Sequence, residues 1–167
     1  MQDNRIEILD TTLRDGEQTA GVSFNPDEKL AIAQLLLEEL KVDRVEVASA
    51  RVSKGESAAF RRICAWAEGA GCLDRVEALG FVDDGVSVDW IADAGGKVVN
   101  ILAKGSLRHL EKQLGKTPEQ HAEDLIRVIA HAGVRGVTVN LYLEDWSNGM
   151  ADSRDYVFGL LERLRFQ

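Results

Sequence analysis

At 167 residues, 45% hydrophobic and with a formal net charge of −8, the chain is about the size of one domain and can bury a sizeable core, which excludes a disordered tail. The acidic balance argues against nucleic acid as a partner, because proteins that bind the phosphate backbone carry a basic face. No early segment has the apolar region of a signal peptide, and no apolar run approaches the roughly 20 residues needed to span a bilayer; a soluble, cytoplasmic protein with no membrane partner is expected.

The first predicted strand, Ile6 to Leu9, runs directly into Asp10, Thr11, Thr12, Arg14, Asp15, Glu17 and Gln18, with Leu13 the one apolar residue among them and Gly16 and Gly21 as flexible points. An arginine beside an aspartate at the mouth of a strand needs a chemical reason. Helix start signals follow. Asn25-Pro26-Asp27-Glu28 pairs a capping side chain with proline at the first helical position and a glutamate three residues after the cap. The helix from Pro26 places Leu30, Ala33, Leu36, Leu37 and Leu40 on one face, as a helix covering a sheet requires. Apolar strands are then predicted near Val45, Val76, Val98 and Val137, with helices between them. Ser53 and Glu56 have capping-box spacing, Thr117-Pro118-Glu119-Gln120 repeats the full signal, and Gly95-Gly96 and Gly133 are plausible stops. Cys64 and Cys72 have neither CxxC spacing nor a disulfide framework, so both read as reduced and structural.

Five strand-helix units result, with no linker, low-complexity stretch or charge block between them, which indicates an α/β chain with a mostly parallel sheet. An open doubly wound sheet and part of a β/α barrel both fit this alternation. A dinucleotide fold would favour GxGxxG after the first strand, and a nucleoside triphosphatase GxxxxGK[ST]. Gly16 and Gly21 have the second spacing, but Val22 and Ser23 stand where Lys and Ser/Thr belong. Polar groups instead gather after every strand, at Asp10 to Gln18, Ser49 to Lys54, Asp83-Asp84, Lys104 to His109 and Glu144 to Asn148. In a β/α barrel these loops share the rim that carries the chemistry.

Each rim residue also has a plain structural reading. Asp15 could cap a turn. Glu46, a charge inside an otherwise apolar strand, needs a partner or a function, and Arg14 could supply a salt bridge. Glu144 could face water, and Leu79, Leu102 and Tyr142, near the ends of the third to fifth strands, could be core. His109, His121 and His131 have no metal-ligand spacing; the last two read as helix-surface residues, and His109, in Ser106-x-x-His109, as packing, capping or catalysis.

LDTTLRDGEQ resembles the first-strand signature of the metal-dependent family that contains the 2-isopropylmalate, homocitrate and citramalate synthases and the hydroxymethylglutaryl-CoA lyases. The similarity continues through VDRVEVASARVSKGE, KGSLRHLEKQLGKTPE and VNLYLEDWSNG, which look nearest to the citramalate synthases. The resemblance implies a β/α barrel and an acyltransferase that condenses acetyl-CoA with a small 2-oxoacid, pyruvate giving citramalate in amino-acid biosynthesis. The alternatives are an isopropylmalate or homocitrate synthase, a carbon-carbon lyase, or a non-catalytic truncated barrel acting as an assembly or binding module. By resemblance Asp15 is a ligand for a divalent metal (Mg, Mn or Zn), Arg14 polarises the 2-oxoacid carbonyl, Glu46 orients Arg14, and Glu144 serves acid/base chemistry on the acetyl methyl group. Leu79, Leu102 and Tyr142 would form the apolar pocket for the substrate side chain. Asn100 stands where the isopropylmalate enzymes resemble each other in having a histidine, which weakens that assignment.

A complete barrel takes about 250 residues and eight units. Residues 1–167 are therefore expected to be the N-terminal part of a truncated catalytic barrel domain, about five βα units of an eight-fold barrel. The family's HxH metal ligands and the acetyl-CoA-binding remainder belong, by resemblance, to later segments. Metal binding by this chain is expected to be weak or absent, and its sheet edges to favour a homo-oligomer.

Overall fold

The computed structural model describes residues 5–165. Five strands, β1 (Leu9–Asp10), β2 (Arg44–Ser49), β3 (Val76–Phe81), β4 (Val98–Lys104) and β5 (Thr138–Glu144), form one sheet in the order β1-β2-β3-β4-β5. The order repeats the chain order, as crossovers through one helix to the neighbouring strand produce. β1 pairs with β2, and β2 with β3, both parallel. Contacts divide the chain into two compact units, one within Met1–Leu79 and Trp90–Val98, the other within Gly80–Asp89 and Val99–Gln167.

In the first unit, α1 (Pro26–Gln34) starts on the predicted capping box: the Asn25 side chain accepts from the Asp27 and Glu28 amides, and the Glu28 carboxylate accepts from the Asn25 amide. The helix continues as a π-helical turn, Leu35–Glu39. That wider turn overturns part of the predicted face. Ala33, Leu36 and Leu37 are buried, but Leu40 is 65% exposed, because the i→i+5 bond from its amide to the Leu35 carbonyl rotates it off the 3.6-residue stripe. β1 is also shorter than the predicted Ile6–Leu9. The Ile8 amide bonds the Asp43 carboxylate rather than a strand, and Ile6 and Ile8 face solvent. α2 (Lys54–Ala70) has half of its predicted box: Ser53 accepts from the Glu56 amide, while the Glu56 side chain turns to Lys29. Its face packs Phe60 and Ile63 inward, and Phe60 stacks on Trp90 at 5.4 Å. β2 carries a bulge between Glu46 and Ala48, a device that re-aims side chains.

In the second unit, α3 (Val86–Asp93) begins, with its last turn belonging to the first unit and Gly95 following at φ +89°, as the stop signal indicated. α4 (Leu107–His109) is capped by Ser106 and runs into a π-helical turn, Leu110–Leu114. α5 (Pro118–Arg135) opens on the Thr117/Gln120 capping box. Gly133 is not its stop. The helix runs through it to Gly136, which takes the left-handed φ of +67°. α6 (Trp146–Asp152) and α7 (Arg154–Leu164) follow β5. The unit's core includes Ile101, Leu110, Leu125, Val128 and Leu160. Phe166 and Gln167, with which the sequence closes, lie outside the described residues.

Cys64 and Cys72 are buried free thiols. Burial pushes the Cys64 thiol up to about 12, which makes it inert as a nucleophile. No helix among the described residues is long and apolar enough to cross a membrane.

Candidate active site

In the first unit the turn after β1 is built by local bonds. The Asp10 carboxylate accepts from the Thr12 amide (2.9 Å) and hydroxyl (3.1 Å), and the Thr11 carbonyl accepts from the amides of Arg14, Asp15 and Gly16. Leu13, 1% exposed, anchors the turn in the core. Arg14 is thereby directed at Glu46: Nε donates to Glu46 Oε2 at 2.5 Å, and Nη1 to Asp15 Oδ1 at 2.9 Å. Glu46 is fully buried and Arg14 largely so. Nε and Nη1 are thus each held by a carboxylate, and neither of these bonds uses Nη2. Arg14 also lines a cavity of about 350 Å³ with Glu17, Gln18, Ser49, Ser53 and Glu56. Leu79, at the end of β3, is a core residue here, with its carbonyl accepting from the Ala50 amide at 2.8 Å. A further cavity, about 640 Å³, is lined by Arg5, Asp43, Arg44 and Arg75 at the opposite ends of the strands, where barrels carry stability rather than chemistry.

Asp15 is the residue that the resemblance gives as a metal ligand. Its side chain is 60% exposed and already bonded to Arg14. Among the described residues no group of three or more His, Cys, Asp or Glu side chains is placed to hold a metal ion. One carboxylate does not make a Mg²⁺ or Mn²⁺ site, so the residues present do not fit the metal that the resemblance implies.

In the second unit Leu102, Tyr142 and Glu144 line a cavity of about 540 Å³ with Leu141, Leu143 and Trp146; Leu79, which the sequence reading grouped with Leu102 and Tyr142, does not line it. Glu144 is not an isolated rim carboxylate. Its Oε2 pairs with Lys104 Nζ, which also donates to Gln113 Oε1 at 2.7 Å. Lys104 is held by its own backbone: its amide donates to His121 Nε2 (3.2 Å) and its carbonyl accepts from the Tyr156 hydroxyl (2.7 Å). Gly105 lets the chain approach β5, since a Cβ there would sit 2.9 Å from the Leu143 and Glu144 carbonyl oxygens. Asp145 follows in a left-handed conformation, φ +65°, costly for a non-glycine residue. Ser106 Oγ (2.6 Å) and Asn148 Nδ2 (2.5 Å) donate to it, and His109 Nε2 lies 3.4 Å away. The Ser106 bond is the main reason the Asp145 carboxyl lies below the usual range. Ser106 caps the helix at the His109 amide, and the His109 ring lies beside Asp145, so both residues of Ser106-x-x-His109 have structural contacts. On the strands, Asn140 Nδ2 donates to the buried Asn100 Oδ1 at 3.0 Å, so Asn100 serves a side-chain pair.

His121 is a correction. It is fully buried on α5 rather than on the helix surface, because its ring accepts the Lys104 amide. Lys29 was missed altogether, and Lys104, which opens the polar stretch after β4, was given no role of its own. The signal for Lys29 was present in the spacing Lys29, Ala33, Leu36, Leu37, which places the lysine on the buried stripe.

Residues 5–157 match the HMGL-like family. The (R)-citramalate synthase of Methanocaldococcus jannaschii is 36% identical over 140 residues, 84% of this chain and 27% of that protein. A homocitrate synthase of Methanopyrus kandleri is 38% identical over 143 residues, 85% of this chain and 34% of that protein. The chain thus spans about a third or less of these curated relatives. The crystal structure of the Bacillus subtilis HMG-CoA lyase superposes with a TM-score of 0.67 at 20% identity, over 97% of this chain and 55% of that one. That likeness concerns the fold, which is a partial β/α barrel of five βα units.

Proposed function

The chain belongs to the HMGL-like family, and from that premise we propose that it supplies the 2-oxoacid end of an acyltransferase that condenses acetyl-CoA with pyruvate to give citramalate. The observation that carries this reading is the Arg14–Glu46 pair: a buried carboxylate fixes a guanidinium at the end of a strand, beside a cavity, with one nitrogen outside the fixing bonds. A guanidinium so held is preorganised for an oxygen that gains negative charge, and it need not reorganise as that charge develops.

In this reading a carboxylate removes a proton from the acetyl methyl group, and the resulting carbanion equivalent attacks C2 of pyruvate. Arg14 takes up the charge on the former carbonyl oxygen, which is then protonated; water cleaves the thioester, and CoA leaves. Glu144 is the proposed acid/base residue, its Oε2 held by Lys104 and its Oε1 outside that pair. Glu46 orients Arg14. Leu102 and Tyr142 are proposed to contact the small apolar substituent of the 2-oxoacid; the sequence reading also gave that role to Leu79, which is buried in the core of the first unit.

The experiment is a pyruvate titration of the purified chain, followed by the Arg14 side-chain Nε–Hε resonance, alongside CoA release from acetyl-CoA with pyruvate. A pyruvate-dependent shift of Arg14 that is lost in Glu46→Leu supports the reading. No shift at saturating pyruvate removes it. The lack of a metal-binding group among the described residues favours one second reading, a barrel segment that binds a 2-oxoacid or assembles without turning it over; pyruvate binding without CoA release would identify it.

A further inference from the structure

Lys29 lies on α1, behind the turn that carries Arg14, and is 1% exposed. A buried ammonium ion persists only where charge partners and hydrogen bonds replace water. Lys29 Nζ has three: the Leu13 carbonyl at 3.1 Å, Glu17 Oε2 at 2.5 Å and the Glu56 carboxylate. They come from three different places. The Leu13 carbonyl belongs to the peptide that joins Leu13 to Arg14. Glu17 lies two residues beyond Asp15, and its other oxygen accepts the Phe24 amide at 2.8 Å, closing the loop between them. Glu56 opens α2.

Glu17 and Glu56 line the same cavity as Arg14, and both are mostly buried. Without the ammonium, two carboxylates would face that cavity, repel an anionic ligand and compete for the guanidinium. Lys29 thus ties down the backbone directly before Arg14 and neutralises the acidic wall beside it.

We propose that Lys29 is a positioning residue that holds Arg14 ready for an anionic 2-oxoacid; the ligand class rests on the function proposed above, the positioning does not. A residue that only stabilised the fold would leave Arg14 in place once the fold was rescued. The test compares wild type, Lys29→Met and the triple variant Lys29→Met/Glu17→Gln/Glu56→Gln, in which no buried carboxylate is left uncompensated. Thermal unfolding reads the fold. The Arg14 Nε–Hε resonance, assigned by its loss in Arg14→Lys, reads position without any ligand.

The expected result is that the triple variant recovers most of the melting temperature lost in Lys29→Met, while Arg14 Hε exchanges with solvent roughly tenfold faster or more in both, as for a group whose local closure is lost. A folded triple variant with the wild-type shift and exchange rate would overturn the proposal. So would failure of both variants to fold, which would make Lys29 a requirement of the scaffold. A pyruvate titration of wild type separates the two questions: no perturbation of Arg14 removes the 2-oxoacid reading but leaves the positioning result standing.

Discussion

Glu46 and Glu77 are register partners on β2 and β3, both buried, and each is answered by a different arginine. Arg14 reaches Glu46 from the turn after β1, and Arg44 reaches Glu77 at 3.1 Å from within β2. Two adjacent carboxylates kept from water would repel strongly unless each had its own cation. The first strand and the rim loop are therefore bound to the sheet by charge as well as by packing, and Arg14 serves stability and the site at once.

Breaking one partner of such a pair should cost more than removing both. Glu46→Leu is expected to destabilise by about 3 kcal/mol, because it leaves a largely buried guanidinium with the exposed Asp15 carboxylate alone, and Arg14→Leu/Glu46→Leu should recover a large part of that loss. Urea unfolding of the two single variants and the double variant measures the coupling. Additive losses would mean that the pair contributes nothing as a pair.

Metal binding should be feeble. Asp15 is the ligand that the resemblance assigns, and the described residues contain no cluster to join it. Calorimetric titration with Mn²⁺ should give a dissociation constant on the order of millimolar or weaker. Micromolar binding that Asp15→Ala abolishes would require ligands from a different set.

His121 makes stability depend on pH. Burial lowers its pKa below the usual 6.5, so the folded protein resists a proton that the unfolded chain accepts near 6.5. As pH falls below 6.5 the unfolded state binds more protons and stability drops, levelling off only below the folded pKa. The urea midpoint should fall between pH 7 and pH 5. His121→Gln, which keeps an acceptor for the Lys104 amide, should flatten that fall. An equally steep fall in His121→Gln would assign the effect elsewhere.

The sequence disclosed what depends on local chemistry. β2 to β5 start within a residue of the predicted positions, because Val-rich runs bounded by turns have one use in an α/β chain, and the Asn25 and Thr117 boxes are self-contained. Leu40 was misplaced because periodicity assumes 3.6 residues per turn and the π-helical turn breaks it. Ile6 and Ile8 were misplaced because apolar character does not reveal whether a strand has a neighbour to pair with. Gly133 and Gly136 are three residues apart, and only packing chooses the later one as the stop. Lys29 and His121 sit on apolar stripes, yet polar residues there read as surface until their partners, Glu17, Glu56 and the Lys104 amide, are known. Pairs between distant segments, such as Arg14–Glu46 and Lys104–Glu144, are legible as chemistry but not as geometry.

The opening oddity, an arginine beside an aspartate at a strand's mouth, gives the sharpest test of the function. In an enzyme carrying these residues, Arg14→Lys should lower kcat by about 10²-fold or more with little change in KM, since an ammonium keeps the charge but loses the planar fork that meets Glu46 and a developing oxyanion together. Leu102→Ala acts on a different quantity. By enlarging the apolar cavity it shares with Tyr142, it should shift preference from pyruvate toward 2-oxoisovalerate by about 1–3 kcal/mol, the worth of a small alkyl difference in a hydrophobic pocket. Steady-state kinetics with both 2-oxoacids on both variants separates these effects. If Arg14→Lys alters KM alone, Arg14 binds substrate without stabilising the transition state. If Leu102→Ala leaves the substrate ratio unchanged, the cavity beside β5 does not select the 2-oxoacid, and its apolar lining is core exposed at a sheet edge.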